Sequence, residues 1–239
     1  MIGPKSKTSL LLLLLMALLS GLVGCERQGE KRQQVRQEER MREKPQQEQY
    51  EGVIVAMGDS LTAGLGVAEA EAYPARLAAR LREAGFNYRV INAGVSGETS
   101  RGALERTPWI LSFKPDIVIL ETGANDGLRG IAPEAIRENL EKIIAAFREE
   151  GVVVVLCGME MVRNLGESYT AAFRAIYPAV ARREGVIFMP FFLQGVAGEP
   201  ELNQPDTIHP TAAGYRRIVE NLLPYVKQAI AASRNKGGV

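Results

Sequence analysis

The sequence predicts an α/β fold: a parallel sheet covered by helices on both sides. Three observations lead there. Five short, β-branched apolar runs alternate with longer stretches of helical periodicity. The apolar runs are nearly continuous, as in strands buried on both faces, with none of the alternation of a half-exposed sheet. Polar residues capable of chemistry follow the ends of these runs at once, where the functional groups of parallel sheets gather.

The elements are justified in chain order. Lys5 and Lys7 precede an apolar run over 10–19, too short for the ~20 residues of a bilayer span and typical of an export signal. The signal, expected over 1–24, ends in Leu22-Val23-Gly24-Cys25. This resembles the bacterial lipobox, which implies lipidation of Cys25 and an exported lipoprotein anchored in the bacterial cell envelope. Glu26 in place of aspartate at the next position favours the outer membrane where there is one. From residue 26 to 49 the chain is rich in Glu, Gln, Arg and Lys and almost free of aliphatic residues, so it cannot bury a core. Residues 25–49 therefore read as the lipidated cysteine and a flexible tether.

One domain is expected over 50–233, with 234–239 as a tail. Strands are expected at 53–57, 88–92, 116–121, 152–157 and 186–190. A helix over 72–84 stops at Gly85, and a less regular one covers 100–111. A third, over 133–150, starts with Pro133 and carries the stripe Ile136, Leu140, Ile143, Ile144 and Phe147. A fourth covers 168–184. The last begins at Pro210 or Thr211 and carries Ile218, Val219, Leu222, Val226 and Ile230.

Composition narrows the function classes. The net charge of +1 gives no electrostatic reason to expect nucleic acid. Two cysteines are too few for a disulfide framework or a cysteine zinc site. Gly94-Val95-Ser96-Gly97-Glu98 lacks the fifth-position glycine of a nucleophile elbow, and Gly64-x-Gly66 lacks the third glycine of a dinucleotide fingerprint.

There remains a set of groups on one sheet edge. Ser60 follows the first strand, Gly94 the second and Asn125 the third, while Asp206 and His209 lie between the fifth strand and the last helix. His209 is the only histidine. A serine hydroxyl needs a base to become a nucleophile, which His209 can supply. The other ring nitrogen needs an acceptor such as Asp206. The Ser60 N–H, the Gly94 N–H and the Asn125 amide are candidate oxyanion donors. Each residue alone has an ordinary turn or capping explanation; together and in this order they point to a site.

Gly58-Asp59-Ser60-Leu61, then Gly94, Gly123-x-Asn125-Asp126 and Asp206-x-x-His209-Pro210 resemble the SGNH (GDSL) hydrolase family over most of the domain. The runs 92–99 and 123–130 are similar to its bacterial arylesterase and multifunctional thioesterase/lysophospholipase branch. The resemblance implies a flavodoxin-like three-layer α/β/α sandwich with sheet order 2-1-3-4-5. It also implies hydrolysis of small ester, thioester or lysophospholipid substrates with neither a metal nor a cofactor. Alternatives are a carbohydrate O-deacetylase and a non-catalytic envelope-binding lipoprotein. Leu128, Met159, Met161, Val162 and Leu165 are candidate acyl-chain contacts. Arg129 and Arg163 are candidates for meeting a negatively charged head group.

Overall fold

The computed structural model describes residues 49–161 and 165–236. The signal, Cys25, nearly all of the tether, Val162 and Arg163 lie outside the described residues.

The chain from Tyr50 onward forms a compact unit. Five strands, β1 (Gly52–Gly58), β2 (Tyr88–Gly94), β3 (Ile117–Glu121), β4 (Val153–Cys157) and β5 (Ile187–Met189), make one sheet in the order β2-β1-β3-β4-β5. Every neighbouring pair is parallel. The flavodoxin-like order implied by the family resemblance is thus the order observed. Residues 54–57 of β1 and all of β3 and β4 are buried, which is why these strands read as unbroken apolar runs.

The helices are α1 (Ser60–Ala63), α2 (Tyr73–Glu83), α3 (Ser100–Glu105), α4 (Thr107–Leu111), α5 (Ala124–Leu128), α6 (Pro133–Glu149), α7 (Glu167–Glu184) and α8 (Ala212–Lys236). α2 packs with α8, while α3 and α7 pack with α6. The expected stripe of α6 is buried in full, as are Ile218, Val219, Leu222, Val226 and Ile230 of α8.

Four details differ from expectation. The helix expected over 100–111 is two helices, because Pro108 starts a new first turn after Arg106. α1 and α5 are single turns, too short for helical periodicity to register. β2 runs two residues further, to Gly94. α8 continues to Lys236, so residues 234–236 of the expected tail are helical.

Candidate active site

The site lies beyond the carboxyl ends of β1, β2 and β3. Ser60 opens α1 immediately after β1. Asp59 caps that helix, its Oδ1 accepting from the Leu61 N–H at 3.0 Å. Gly64 closes α1 in the left-handed conformation, with φ 80°. The nucleophile candidate is therefore fixed in a capped single turn. The Ser60 N–H, at the helix start, has no partner among the described residues.

His209 reaches Ser60 from the segment before α8, with Nε2 2.9 Å from Ser60 Oγ. On its other side Nδ1 lies 2.7 Å from Asp206 Oδ2. The Asp206 Oδ1 accepts the backbone N–H groups of Ile208 (2.9 Å) and His209 (3.0 Å). The His209 N–H, then its ring, then the Ile208 N–H hold the Asp206 carboxyl down at about 2. An ionised carboxylate only accepts, so Nδ1 carries the proton. In the neutral ring Nε2 is then the acceptor, and the Ser60 hydroxyl donates to it. Thr207, between the two residues, has φ 63°, an uncommon conformation for a β-branched side chain that lets the turn fold back on Asp206.

Asn125 sits in α5, reached through Gly123 at φ 104°. Its Nδ2 donates one hydrogen to Asp59 Oδ2 at 3.1 Å, and the second hydrogen has no acceptor among the described residues. The buried Asp126 anchors the same helix, accepting from the N–H (2.7 Å) and hydroxyl (2.6 Å) of Ser100 at the start of α3.

The expected role of Gly94 needs correction. Its N–H is engaged, donating to Asn92 Oδ1 at 3.0 Å. A Cβ on Gly94 would overlap the backbone nitrogen of Ala63, so this glycine allows β2 to pack against α1. Gly97, three residues later, has φ 80°. Its N–H has no partner among the described residues, and its carbonyl accepts from Arg129 Nη2 at 2.9 Å. Arg129 thus ties this turn to the end of α5. In the sequence Gly97 is marked only by the run Val95-Ser96-Gly97-Glu98-Thr99, three residues beyond the first glycine after the strand.

Beneath Ser60 is a floor of buried groups. Asp59 is 1% exposed and Glu121 0%. Burial pushes Asp59 up to about 6, against the opposing effect of its bonds to Leu61 and Asn125. Burial also pushes Glu121 well above the usual carboxylate range, with the Asp59 charge adding to the effect. Arg106 links the two edges of this region. It donates to Glu98 at 2.5 and 2.6 Å and to the Gly58 carbonyl at 3.2 Å.

The acyl-contact candidates divide. Leu128 is exposed beside the site; Leu65, Val95 and Ile208 are also exposed, in the loops that carry it. Met161 lines a cavity of about 500 Å³ with Glu160, Glu167, Thr170, Ala171 and Arg174. Leu165 is half-buried. Met159 is only 3% exposed and packs in the core, which is at odds with the acyl-chain contact expected of it. Among the described residues no cluster of His, Cys, Asp and Glu is arranged to hold a metal ion.

The chain is similar to known proteins along most of its folded part. The GDSL-like Lipase/Acylhydrolase family matches residues 56–217. Esterase TesA of Pseudomonas aeruginosa is 42% identical over 175 residues, covering 73% of this chain and 87% of the relative. A crystal structure of TesA, also 42% identical, aligns with a TM-score of 0.72 over 74% of this chain and 99% of that one. An arylesterase of Vibrio mimicus is 39% identical, covering 70% of this chain and 84% of the relative. Thioesterase 1/protease 1/lysophospholipase L1 of Escherichia coli is 35% identical, covering 66% and 74%. With this fold and this match, the chain belongs to the GDSL-like lipase/acylhydrolase family of serine hydrolases.

Proposed function

We propose that the chain is a serine esterase in which Ser60 is the nucleophile, His209 the general base and Asp206 the residue that orients His209. The observation carrying this reading is the unbroken hydrogen-bond chain Asp206–His209–Ser60. As Ser60 Oγ attacks an ester carbonyl, its proton passes to His209 Nε2 and Asp206 stabilises the imidazolium. His209 then returns that proton to the departing alcohol or thiol, leaving an acyl-serine. A water molecule then gives a proton to the same nitrogen as its oxygen adds to the acyl carbon; the bond to Ser60 Oγ breaks, His209 returns the proton to that oxygen, and the acid leaves. The free N–H of Ser60 and the spare Asn125 hydrogen supply two oxyanion donors, and the Gly97 N–H supplies the third in place of Gly94.

The substrates proposed are aryl and short-to-medium acyl esters, thioesters and lysophospholipids. The names of the relatives support these classes, as do the apolar side chains of Leu65, Val95, Leu128 and Ile208 in the loops of the site. They favour an acyl chain over the small polar group of a carbohydrate acetyl ester. The apolar run over 10–19 and the lipobox-like ending at Cys25 support an exported, lipid-anchored enzyme of the cell envelope.

A chain-length series of nitrophenyl esters, assayed beside acyl-CoA and lysophospholipid, tests the substrate class. The expected result is a kcat/KM that rises from acetyl to medium chains, with turnover of at least one natural acyl substrate. A maximum at acetyl, with no hydrolysis of either natural substrate, would replace this reading with the deacetylase.

A further inference from the structure

We infer that Glu121 is a positioning residue for Ser60, holding the first turn of α1 from below through Thr62 and the Asp59 backbone. The inference rests on the reading of Ser60 as nucleophile. Glu121 ends β3, in register with Gly58 at the end of β1. Its Oε2 accepts from Thr62 Oγ1 at 2.8 Å and, at the longer distance of 3.4 Å, from the Asp59 N–H. Those two residues flank Ser60-Leu61. The Thr62 hydroxyl also lies 3.3 Å from the Tyr73 hydroxyl, which joins this contact to α2.

Packing alone gives no reason for a carboxyl here. All five residues of β3 are buried and the other four are aliphatic. Among the described residues no ion pair includes Glu121, the nearby Arg106 pairing with Glu98 instead, and the Glu121 Oε1 is buried without a partner there. A buried carboxyl in such surroundings costs stability that an aliphatic residue would not. The chain also makes room for it, because a Cβ on Gly58 would overlap Glu121 Oε2 and Thr62 Oγ1. Burial pushes the group toward its neutral form, and the contacts it makes to Thr62 and the Asp59 N–H use it as a hydrogen-bond acceptor. What the acceptor orders is the turn whose register sets the distance from Ser60 to His209.

The test compares Glu121→Gln, Glu121→Leu and Thr62→Val in the full chain. Each is assayed for kcat and KM on a nitrophenyl ester and for the rate at which a fluorophosphonate labels Ser60. Glutamine retains an acceptor and should stay within about threefold of wild type in kcat. Leucine should lower kcat and the labelling rate together, by on the order of 100-fold, with KM little changed, as expected for a small displacement of a reacting group. Thr62→Val removes the linking hydroxyl and should act in the same direction. In a chain already carrying Glu121→Leu it should add little. If Glu121→Leu does not fold, the Thr62→Val and Glu121→Gln arms decide the matter. Wild-type kcat in folded Glu121→Leu or in Thr62→Val would overturn the inference, as would a glutamine variant as slow as leucine. Failure of wild type to label at Ser60 would instead overturn the reading of Ser60 on which the inference rests.

Discussion

Two sets of carboxyl groups stand on opposite sides of Ser60, and the chain treats them in opposite ways. Asp206 lies in a surface turn with its side chain 44% exposed, where His209 and two backbone N–H groups hold it ionised. Asp59 and Glu121 lie beneath Ser60, almost wholly out of water, and burial drives both toward the neutral form. The difference shows how one residue chemistry can serve two ends. A carboxylate facing solvent can meet a developing imidazolium with charge. Carboxyl groups in the core contribute geometry, as helix cap, amide anchor and acceptor.

The largest effect should come from removing charge on the exposed side. Asp206→Asn keeps the shape but takes away the acceptor that fixes the proton on Nδ1. It should lower kcat by about 10⁴-fold, the scale of such a loss in a serine triad. A variant within tenfold of wild type would show that the exposed carboxylate is dispensable. Asn125→Ala should cost less, on the order of 100–1,000-fold, and mainly in kcat, because the donor is needed as charge develops on oxygen. A change in KM with constant kcat would move Asn125 from the oxyanion to substrate binding.

The smallest effect on rate, with a change of sign in stability, is expected on the buried side. The folded-state value of about 6 for Asp59 lies above the ordinary 3.8. The folded state therefore favours the proton, and stability should fall as pH rises from about 3.8 through 6. The groups that face Asp59 include Glu121, Glu98, His209, Asn125 and the buried hydroxyls of Tyr177 and Tyr215. Asp59→Asn keeps a capping oxygen for Leu61 and removes the titration. Thermal melts from pH 4 to 8 should show a smaller loss of stability toward high pH than in wild type. Activity should fall modestly, because the new amide cannot accept from Asn125. An unchanged pH slope would contradict the buried-carboxyl account.

The exposed and buried halves also differed in how far they could be read beforehand. Ser60, Asp206 and His209 stood out because each follows a strand end or precedes a helix in a short polar run, and spacing alone places such residues on one edge. The strands were legible because both faces are covered, which leaves an unbroken apolar signature. Glu121 gave no such signal, since a glutamate ending an apolar run normally marks the return to solvent. Linear position cannot show that Asn92 captures the Gly94 N–H while the Gly97 N–H has no partner among the described residues. The burial of Met159, an expected acyl-chain contact, is not legible because the apolar run ends with the strand, whereas burial continues into the next segment. In each case the missing information was a contact between residues distant in sequence or a turn conformation without a pattern of its own.

The claim on which the others depend is that Ser60 is the nucleophile. Treating the protein with a fluorophosphonate and mapping the adduct by mass spectrometry tests it most directly. The account predicts one adduct per chain, on the peptide carrying Ser60, together with loss of both labelling and nitrophenyl ester hydrolysis in Ser60→Ala. An adduct on another residue, or full hydrolysis by Ser60→Ala, would contradict it.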